Sequence, residues 1–323
     1  PPHEGFQGMR RALAQYRRIA AQGGWETIPV GPRLERGMQN EAVGRLRRRL
    51  IQTGDLTDIQ HFNPYLFDRP LEEAVVAFQI RHGIASDGVL GPQTRRAMNV
   101  PVAHRIRQLE INMERWRWIP KELGRRYLMV NIADYTLIGV EEGRTRMQMR
   151  VIVGRTYRKT PVFSEEMAYL VLNPFWNIPH KLALKDVVPK IRKDPGYSHR
   201  QGIRVFSDWG PNAVELNRDE VDWDQMASGN LGLRLRQDPG PHNALGRIKF
   251  MLPNKYAVYL HDTPARRQFS ALSRSFSSGC IRVEDPIGLA AFVLDDASAW
   301  DPTAIQAIIT AGERRVVRLD RPI

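Results

Sequence analysis

What this 323-residue sequence lacks already narrows its possible roles. A single cysteine, Cys280, excludes an internal disulfide, so cysteine content does not indicate a redox compartment. No run of about 18 apolar residues is present, so no segment has the composition of a membrane-spanning helix. A Gly-x-Ser-x-Gly elbow is also missing, which disfavours a serine nucleophile. The one thiol is therefore the most distinctive reactive group in the chain.

The charge balance of the sequence is strongly positive. Lysine and arginine number 48 against 35 acidic residues, which gives a formal net charge of +13. Such a surface favours polyanionic or carboxylate-rich partners. Nucleic acid is the obvious polyanion, but the sequence contains no recognised nucleic-acid-binding motif. We therefore expect carboxylate-bearing partners and no nucleic acid.

The eight histidines do not form a metal-binding pattern. His82 invites that interpretation because it follows a helical stretch, yet no second ligand stands at a standard spacing from it. A solvated histidine at a helix end is the prediction for this position. We expect neither a metal nor a cofactor.

The segment SFSSGCIR, residues 275–282, has the composition of a nucleophile loop. A free thiol with a pKa of about 8.5 is scarcely ionised near neutrality, so a thiol nucleophile needs a base. His261, in the upstream segment YLHDTP, can accept that proton and later return it. The backbone amides of Gly279 and Cys280 can both point at one oxygen and stabilise an oxyanion. A lone cysteine is commonly a small buried hydrophobe, but these neighbours favour a nucleophile.

The histidine, the gap and the Ser-x-Gly-Cys-Ile-Arg run resemble the catalytic signature of YkuD-type L,D-transpeptidases. Many members of that family carry a second histidine two positions before the cysteine, where this chain has Ser278. The form SFSSGCIRV, with YLHDTP upstream, resembles instead the YcbB-like branch of the family. His261 is then the only base in the motif. We expect a backbone carbonyl to fix its tautomer, because the side chain of Asp262 faces the other side of the strand.

This resemblance implies a peptidoglycan L,D-transpeptidase that acts through a cysteine thioester. The implied donor is a tetrapeptide stem, cleaved between meso-diaminopimelate and the terminal D-alanine. The implied acceptor is the side-chain amine of diaminopimelate on a neighbouring stem, which gives a 3→3 cross-link. The residues alone indicate a cysteine acyl transferase or hydrolase. An L,D-carboxypeptidase, a 1→3 cross-linking variant and a non-catalytic peptidoglycan-binding protein stay open as alternatives.

The same resemblance implies acylation of the cysteine by carbapenem-type β-lactams and a periplasmic location. The sequence starts at Pro1 without a signal-peptide pattern. We expect an export signal or an anchor to lie outside it.

Four residues near the motif are candidates for substrate contact. Arg282 is predicted either to anchor a stem carboxylate or to form a structural ion pair. Ser278 is close enough in sequence to touch substrate, although serines in turns commonly hydrogen-bond locally. Tyr259 shares a strand face with His261 and is a candidate pocket wall. Phe276 is another, with core packing as its alternative role.

The sequence before the catalytic region is helical. Residues 1–32 predict a scaffold helix and a linker, and residues 33–99 predict a small domain of three helices. The phrases LERGM (34–38), FQIRHG (78–83) and DGVLGPQT (87–94) resemble the three-helix peptidoglycan-binding domain of cell-wall enzymes. Peptidoglycan binding is the role this resemblance implies, and a structural spacer is the alternative.

Residues 100–323 are assigned to the catalytic domain. From Tyr127 the hydrophobic period changes to two, which predicts half-buried antiparallel strands. The segment NPFWNIP (173–179) resembles the Asn-Pro-x-Trp segment of the YkuD family. Residues 178–247 then break the strand rhythm, and in the YcbB-like branch an insertion here forms a lid. The expected fold class is α+β: a mostly antiparallel YkuD-type domain with an inserted lid, a small all-helical three-helix domain and flanking helices.

Overall fold

The structure, a computed structural model, describes residues 3–57, 63–229, 232–296 and 298–323. The chain divides into two compact units, Pro1–Glu122 and Leu123–Ile323. Within the described ranges, no helix is both long and apolar enough to cross a membrane.

The first unit is helical. Its helices are α1 (Glu4–Ala21), α2 (Glu41–Thr53), α3 (Arg69–Arg81), α4 (Pro92–Met98) and α5 (Val102–Arg117). Local chemistry sets several of their ends. The side chain of Asn40 accepts a hydrogen bond from Ala42 N–H at 2.9 Å, and Asp68 accepts one from Leu71 N–H at 3.1 Å. Both satisfy backbone donors that a helix start leaves unpaired.

Two clusters of apolar side chains hold the first unit together. The apolar faces of α2 and α3 meet in one core, formed largely by Val43, Leu46, Leu50, Leu71, Val75 and Phe78. The second cluster joins α1 to α5, where Phe6 and Leu13 pack with Met113. Helix α5 therefore lies in the first unit, whereas the predicted boundary between residues 99 and 100 assigns it to the catalytic domain. The division falls after residue 122 because the apolar face of α5 is buried against α1.

The second unit contains all thirteen strands of the described chain. They are β1 (Arg126–Asn131), β2 (Thr136–Glu141), β3 (Arg144–Gly154), β4 (Tyr169–Leu172), β5 (Trp176–Ile178), β6 (Ile203–Phe206), β7 (Glu215–Leu216), β8 (Arg234–Gln237), β9 (Ile248–Met251), β10 (Leu260–His261), β11 (Ser275–Ser277), β12 (Ile281–Val283) and β13 (Arg315–Arg318). The main sheet has the order β1-β2-β3-β12-β10-β9-β4-β13, with β11 paired to β3 beside this path. Pairing is antiparallel except for β10 with β12 and β11 with β3. The α+β class with mostly antiparallel sheets is confirmed.

Two helices cover one face of the main sheet. These are α10 (Pro286–Leu294) and α11 (Pro302–Ala311), each with an aspartate N-cap followed by proline. Proline suits that position because its fixed φ matches the helix and its missing N–H is not needed there. Their inner side chains join those of the sheet in the largest core of the unit.

The segment that interrupts the main sheet forms a layer of its own. Its four-stranded antiparallel sheet has the order β5-β8-β6-β7. Its helices are α6 (His180–Leu182), a π-helical turn (Ala183–Val187), α7 (Val188–Lys193), α8 (Tyr197–Arg200) and α9 (Trp223–Ala227). A separate apolar core lies within this layer, which includes Ile178, Val188, Ile203 and Leu235. The sequence does not predict these strands, because none is longer than four residues and β8 carries two arginines.

Candidate active site

Cys280 lies in a tight loop between β11 and β12. Ser277 Oγ accepts a hydrogen bond from Gly279 N–H at 3.1 Å and donates one to the Cys280 carbonyl at 2.5 Å. Gly279 has a φ of +128°, a backbone conformation that residues with a side chain rarely adopt. The loop therefore holds the backbone of Cys280 in one conformation immediately before β12.

A buried threonine from another loop fixes the same turn. Thr160 Oγ1 donates to the Gly279 carbonyl at 2.7 Å and accepts from Gly154 N–H at 2.9 Å. Gly154 ends β3, which pairs with both β11 and β12, so Thr160 ties the turn to the sheet. The sequence analysis does not identify this role of Thr160. No local pattern signals a partner 119 residues away.

The backbone amide of Gly279, a predicted oxyanion donor, has a hydrogen-bond partner inside the turn. Gly279 N–H donates to Ser277 Oγ, so it does not point freely at a substrate oxygen. The physical reason is that a tight turn brings a serine hydroxyl within reach of the amide two residues later. Of the two amides predicted, that of Cys280 stays a candidate donor.

His261 is held on the strand beside the nucleophile. β10 and β12 run parallel, with His261 paired to Arg282, and Ile281 N–H donates to the Tyr259 carbonyl at 3.0 Å. His261 Nδ1 lies 2.5 Å from the backbone carbonyl oxygen of Asp262, as expected. The carboxylate of Asp262 accepts from Arg247 N–H and contacts Arg266 instead. Since partners on adjacent strands share a sheet face, residues 259, 261, 280 and 282 all lie on one side.

Tyr259 lies beside both members of the predicted pair. Its ring centroid lies 5.7 Å from that of His261, and its proximity opposes the burial that raises the pKa of the Cys280 thiol. Lys249 Nζ is 4.0 Å from the centroid of the same ring. The thiol also lies 3.9 Å from the Ala257 carbonyl oxygen. Tyr259 is thus part of the setting of the sulfur, and not only a pocket wall.

Burial sets the protonation states of this site. It raises the pKa of the Cys280 thiol, although hydrogen bonds from Tyr259 and the charges of Lys249 and Arg282 act the other way. Burial also lowers the pKa of His261 to about 3, helped by the charge of Arg282 and opposed by the ring's bond to the Asp262 carbonyl. Near neutrality the resting site therefore contains a neutral thiol and a neutral imidazole.

The structure places His261 on β10 and Cys280 in the loop that leads into the neighbouring strand β12, but it does not join their side chains. In the part of the chain that is described, no hydrogen bond runs between Cys280 Sγ and the His261 ring. Such bonds are often loose without substrate and tighten in the complex. Cys280 as a residue is half-buried, neither enclosed in the core nor fully exposed.

The other predicted contact residues have different surroundings. Arg282 Nη1 donates to the Gln268 side chain at 2.9 Å, and no ion pair of Arg282 occurs among the described residues. Phe276 is half-buried on β11 and lies outside the main core. Ser278 Oγ accepts from Arg158 Nη1 at 2.9 Å.

Arg158 connects the nucleophile loop to the inserted layer. The same Nη1 that reaches Ser278 lies 2.6 Å from Asp186 Oδ2, and Nη2 lies 3.3 Å from Asp186 Oδ1. Asp186 belongs to the π-helical turn of the insert. Arg158 therefore links Asp186 to Ser278, the position where many YkuD members have a second histidine. The sequence alone does not reveal this link.

Metal ligands are not grouped near this site. Among residues 3–57, 63–229, 232–296 and 298–323, no cluster of three or more His, Cys, Asp or Glu side chains could hold a metal ion.

Comparison with known protein families finds two matches. The family model of YkuD, the L,D-transpeptidase catalytic domain, matches residues 125–309. A second family, described as "Putative peptidoglycan binding domain", matches residues 39–98.

A curated relative comes from Haemophilus influenzae and is named "Putative L,D-transpeptidase". It is 34% identical over 218 residues, which is 67% of this chain and 43% of the relative. The chain therefore spans less than half the length of that relative.

Two solved structures are also similar. An L,D-transpeptidase of Xylanimonas cellulosilytica is 17% identical with a TM-score of 0.24, covering 86% of this chain and 95% of that one. The Ldtfm–avibactam carbamoyl enzyme is 9% identical with a TM-score of 0.22, covering 59% of this chain and 47% of that one.

Proposed function

Because the chain belongs to the YkuD family of L,D-transpeptidase catalytic domains, we propose that it transfers acyl groups between peptidoglycan stem peptides through a Cys280 thioester. The observation that carries this proposal is the shared sheet face of β10 and β12. It holds Cys280, Tyr259 and His261 side by side, with the sulfur half-buried rather than enclosed in the core.

In the first half of the reaction, the Cys280 sulfur attacks the carbonyl carbon of a stem peptide bond. The thiol proton passes to His261, and this requires a side chain to turn because the two groups are not joined at rest. The Cys280 amide stabilises the oxyanion. The carbon–nitrogen bond then breaks, His261 gives the proton to the departing amine, and a thioester stays on the enzyme.

In the second half, an acceptor amine attacks the thioester carbon. His261 takes a proton from that amine, the carbon–sulfur bond breaks, and the proton returns to the sulfur. Burial lowers the pKa of His261 to about 3, so its imidazole is unprotonated over the physiological range but is a weak base in the resting site.

The proposed substrates follow from the family. The donor is a tetrapeptide stem cut between meso-diaminopimelate and D-alanine, and the acceptor is a diaminopimelate amine, which gives a 3→3 cross-link. The net charge of +13 suits these carboxylate-rich peptides. We assign the protein to the YcbB-like branch and to the periplasm on the same basis.

The other parts of the chain are proposed to serve this reaction. The first unit binds peptidoglycan, supported by the family match over residues 39–98. The insert, residues 178–247, covers the active site as a lid, supported by the Arg158–Asp186 contact beside Ser278.

Muropeptide mass spectrometry tests the reaction. We expect the protein to convert purified tetrapeptide stems to cross-linked dimers, and Cys280→Ala to form none. Tripeptides without dimers would replace the transferase by a carboxypeptidase. A dimer joined through the first stem residue would instead identify the 1→3 variant.

Intact mass tests the nucleophile separately. Incubation with a carbapenem is expected to add the mass of one drug molecule to the native protein and nothing to Cys280→Ala. An unmodified native protein that also leaves tetrapeptides intact would contradict the enzyme proposal. The non-catalytic peptidoglycan-binding alternative would then stand.

A further inference from the structure

A cavity of about 230 Å³ lies between the main sheet and the inserted sheet, outside the groups that carry the proposed reaction. The four cations in its walls come from three places. Arg234 and Arg236 project from β8, Lys249 from β9, and Arg314 from the residue before β13. No acidic side chain lines it among the described residues.

The four cations of this cavity are largely uncompensated. Arg236 lies 3.7 Å from Asp238, which stands outside the lining. Arg234, Lys249 and Arg314 have no ion pair in the described part of the chain. The Nε atoms of Arg234 and Arg236 are buried and have no hydrogen-bond partner. Gathering like charges and unpaired donors around a cavity is costly unless a negatively charged group enters it.

Aromatic rings fix the guanidinium groups in place. The Cζ of Arg236 lies 4.3 Å from the Phe175 ring centroid and 4.5 Å from that of Phe206. Arg234 lies over Phe206 at 4.6 Å, and Arg314 over Phe175 at 5.8 Å. A planar guanidinium held by stacking presents its N–H donors in a fixed fork, which matches a carboxylate or a phosphate.

The rest of the lining tells more about the ligand. Val171 and Met251 add aliphatic surface to the same wall. Lys249 connects the cavity to the nucleophile, since its Nζ lies 4.0 Å from the Tyr259 ring and its charge acts on Cys280. A ligand here would place its negative group beside Lys249, which contacts the Tyr259 ring, while its aliphatic part contacts the wall.

We propose that this cavity is an anion subsite that binds a free carboxylate of a stem peptide during acyl transfer. The proposal rests on the proposed function for the identity of the peptide. Guanidinium groups recognise phosphate as well as carboxylate, and the experiment below distinguishes these two ligands.

Direct binding tests the subsite without turnover. The catalytically inactive Cys280→Ala protein is titrated calorimetrically with tetrapeptide stem, with the same peptide carrying amidated carboxylates, and with inorganic phosphate. We expect the Kd for the tetrapeptide to rise at least tenfold when Arg234→Gln or Arg314→Gln is added. Amidation should cost the same factor, and the variants should not weaken the amidated peptide further.

Arg125→Gln is the matched control, because Arg125 pairs with Glu142 on the surface and its loss changes the net charge equally. Its Kd should equal that of the parent. Thermal unfolding shows whether each variant is folded. Two cavity variants are used so that the test still stands if one of them does not fold. Equal tetrapeptide affinity in every folded variant would overturn the proposal. A second result would also overturn it: phosphate binds in a way that depends on Arg234 and Arg314, while the amidated peptide and the free acid bind with equal affinity.

Failure of the subsite and failure of the proposed function look different. Dimers formed with an unchanged KM in Arg314→Gln would remove the subsite and leave the transferase. Carboxylate-dependent binding without dimers or drug adducts would retain the subsite and remove the transferase.

Discussion

The two faces of the central strands β9, β10 and β12 carry opposite chemistry. One face presents Ile248, Phe250, Leu260, Ile281 and Val283, all within 5% of complete burial. The other presents Lys249, Tyr259, His261, Cys280 and Arg282. The same three strands therefore hold the unit together on one side and carry the candidate site on the other. Their alternation of side chains is the geometric cause.

The two faces affect the protein differently: one contributes to stability and the other sets the protonation of the candidate site. The apolar face stabilises the fold by removing hydrocarbon from water. The polar face loses hydration, which shows in the lowered pKa of His261 and the raised pKa of the Cys280 thiol. Stability and chemistry should then be separable by substitution on one face or the other.

A second histidine shows that burial alone does not make a catalytic base. His82 ends α3 in the first unit, with Nδ1 2.8 Å from the Phe78 carbonyl and its ring stacked 3.8 Å from that of Phe78. Burial lowers its pKa to about 4. It was expected to be solvated, and it is half-buried because the ring packs on Phe78. His261 differs in standing beside a half-buried thiol.

The largest expected effect is on the polar face. His261→Gln removes the proposed proton acceptor, so we expect transpeptidation to fall by roughly 10²- to 10⁴-fold. The melting temperature should change little, because no apolar core is opened. Dimer formation and calorimetry measure both. Wild-type turnover by this variant would break the proposed division of roles.

Next comes the apolar face. Phe250→Ala leaves a cavity in a fully buried position, so the free energy of unfolding should fall by about 3–5 kcal/mol. Turnover per folded molecule at low temperature should stay within a few-fold of the wild type. Denaturant titration and dimer assays check this. A selective loss of turnover without loss of stability would show that the two faces are not independent.

The smallest effect concerns pH and sharpens the comparison. The pKa of His261 is about 3 in the folded protein and about 6.5 when unfolded, so the unfolded chain binds an extra proton between these values. The free energy of unfolding therefore falls as pH drops below 6.5, by about 2 kcal/mol at pH 5. Denaturant titrations at pH 7 and pH 5 should show this loss reduced in His261→Gln. An identical loss in both proteins would mean that His261 is not buried as a neutral ring.

Much of the fold can be predicted from local pattern. The stripe of Val43, Leu46 and Leu50 and the cap of Asn40 lie within a few residues of one another, so the helix is legible in the sequence. The alternation around Val151 likewise predicts a strand. The family and the α+β class are confirmed. The strands of the insert were missed because they are short, and β8 carries arginines where an apolar residue is usual.

Parts of the candidate site could not be predicted in the same way. Thr160 bonds a carbonyl 119 residues later, and Arg158 reaches Ser278 from 120 residues before it. The hydrogen bond from Gly279 N–H to Ser277 Oγ depends on the backbone geometry of the turn, and residue types alone do not specify that geometry. None of these contacts leaves a periodic or compositional signal.

The sequence by itself determined the family, the single nucleophile candidate and the residues that alternate with the core, since these follow from residue type and spacing. Only the tertiary structure decided what stands beside the sulfur. Parallel pairing of β10 with β12 brings Tyr259 to the thiol, and the insert completes a cavity of four cations against the main sheet. Such neighbours come from chain segments far apart in sequence, and packing rather than local propensity brings them together.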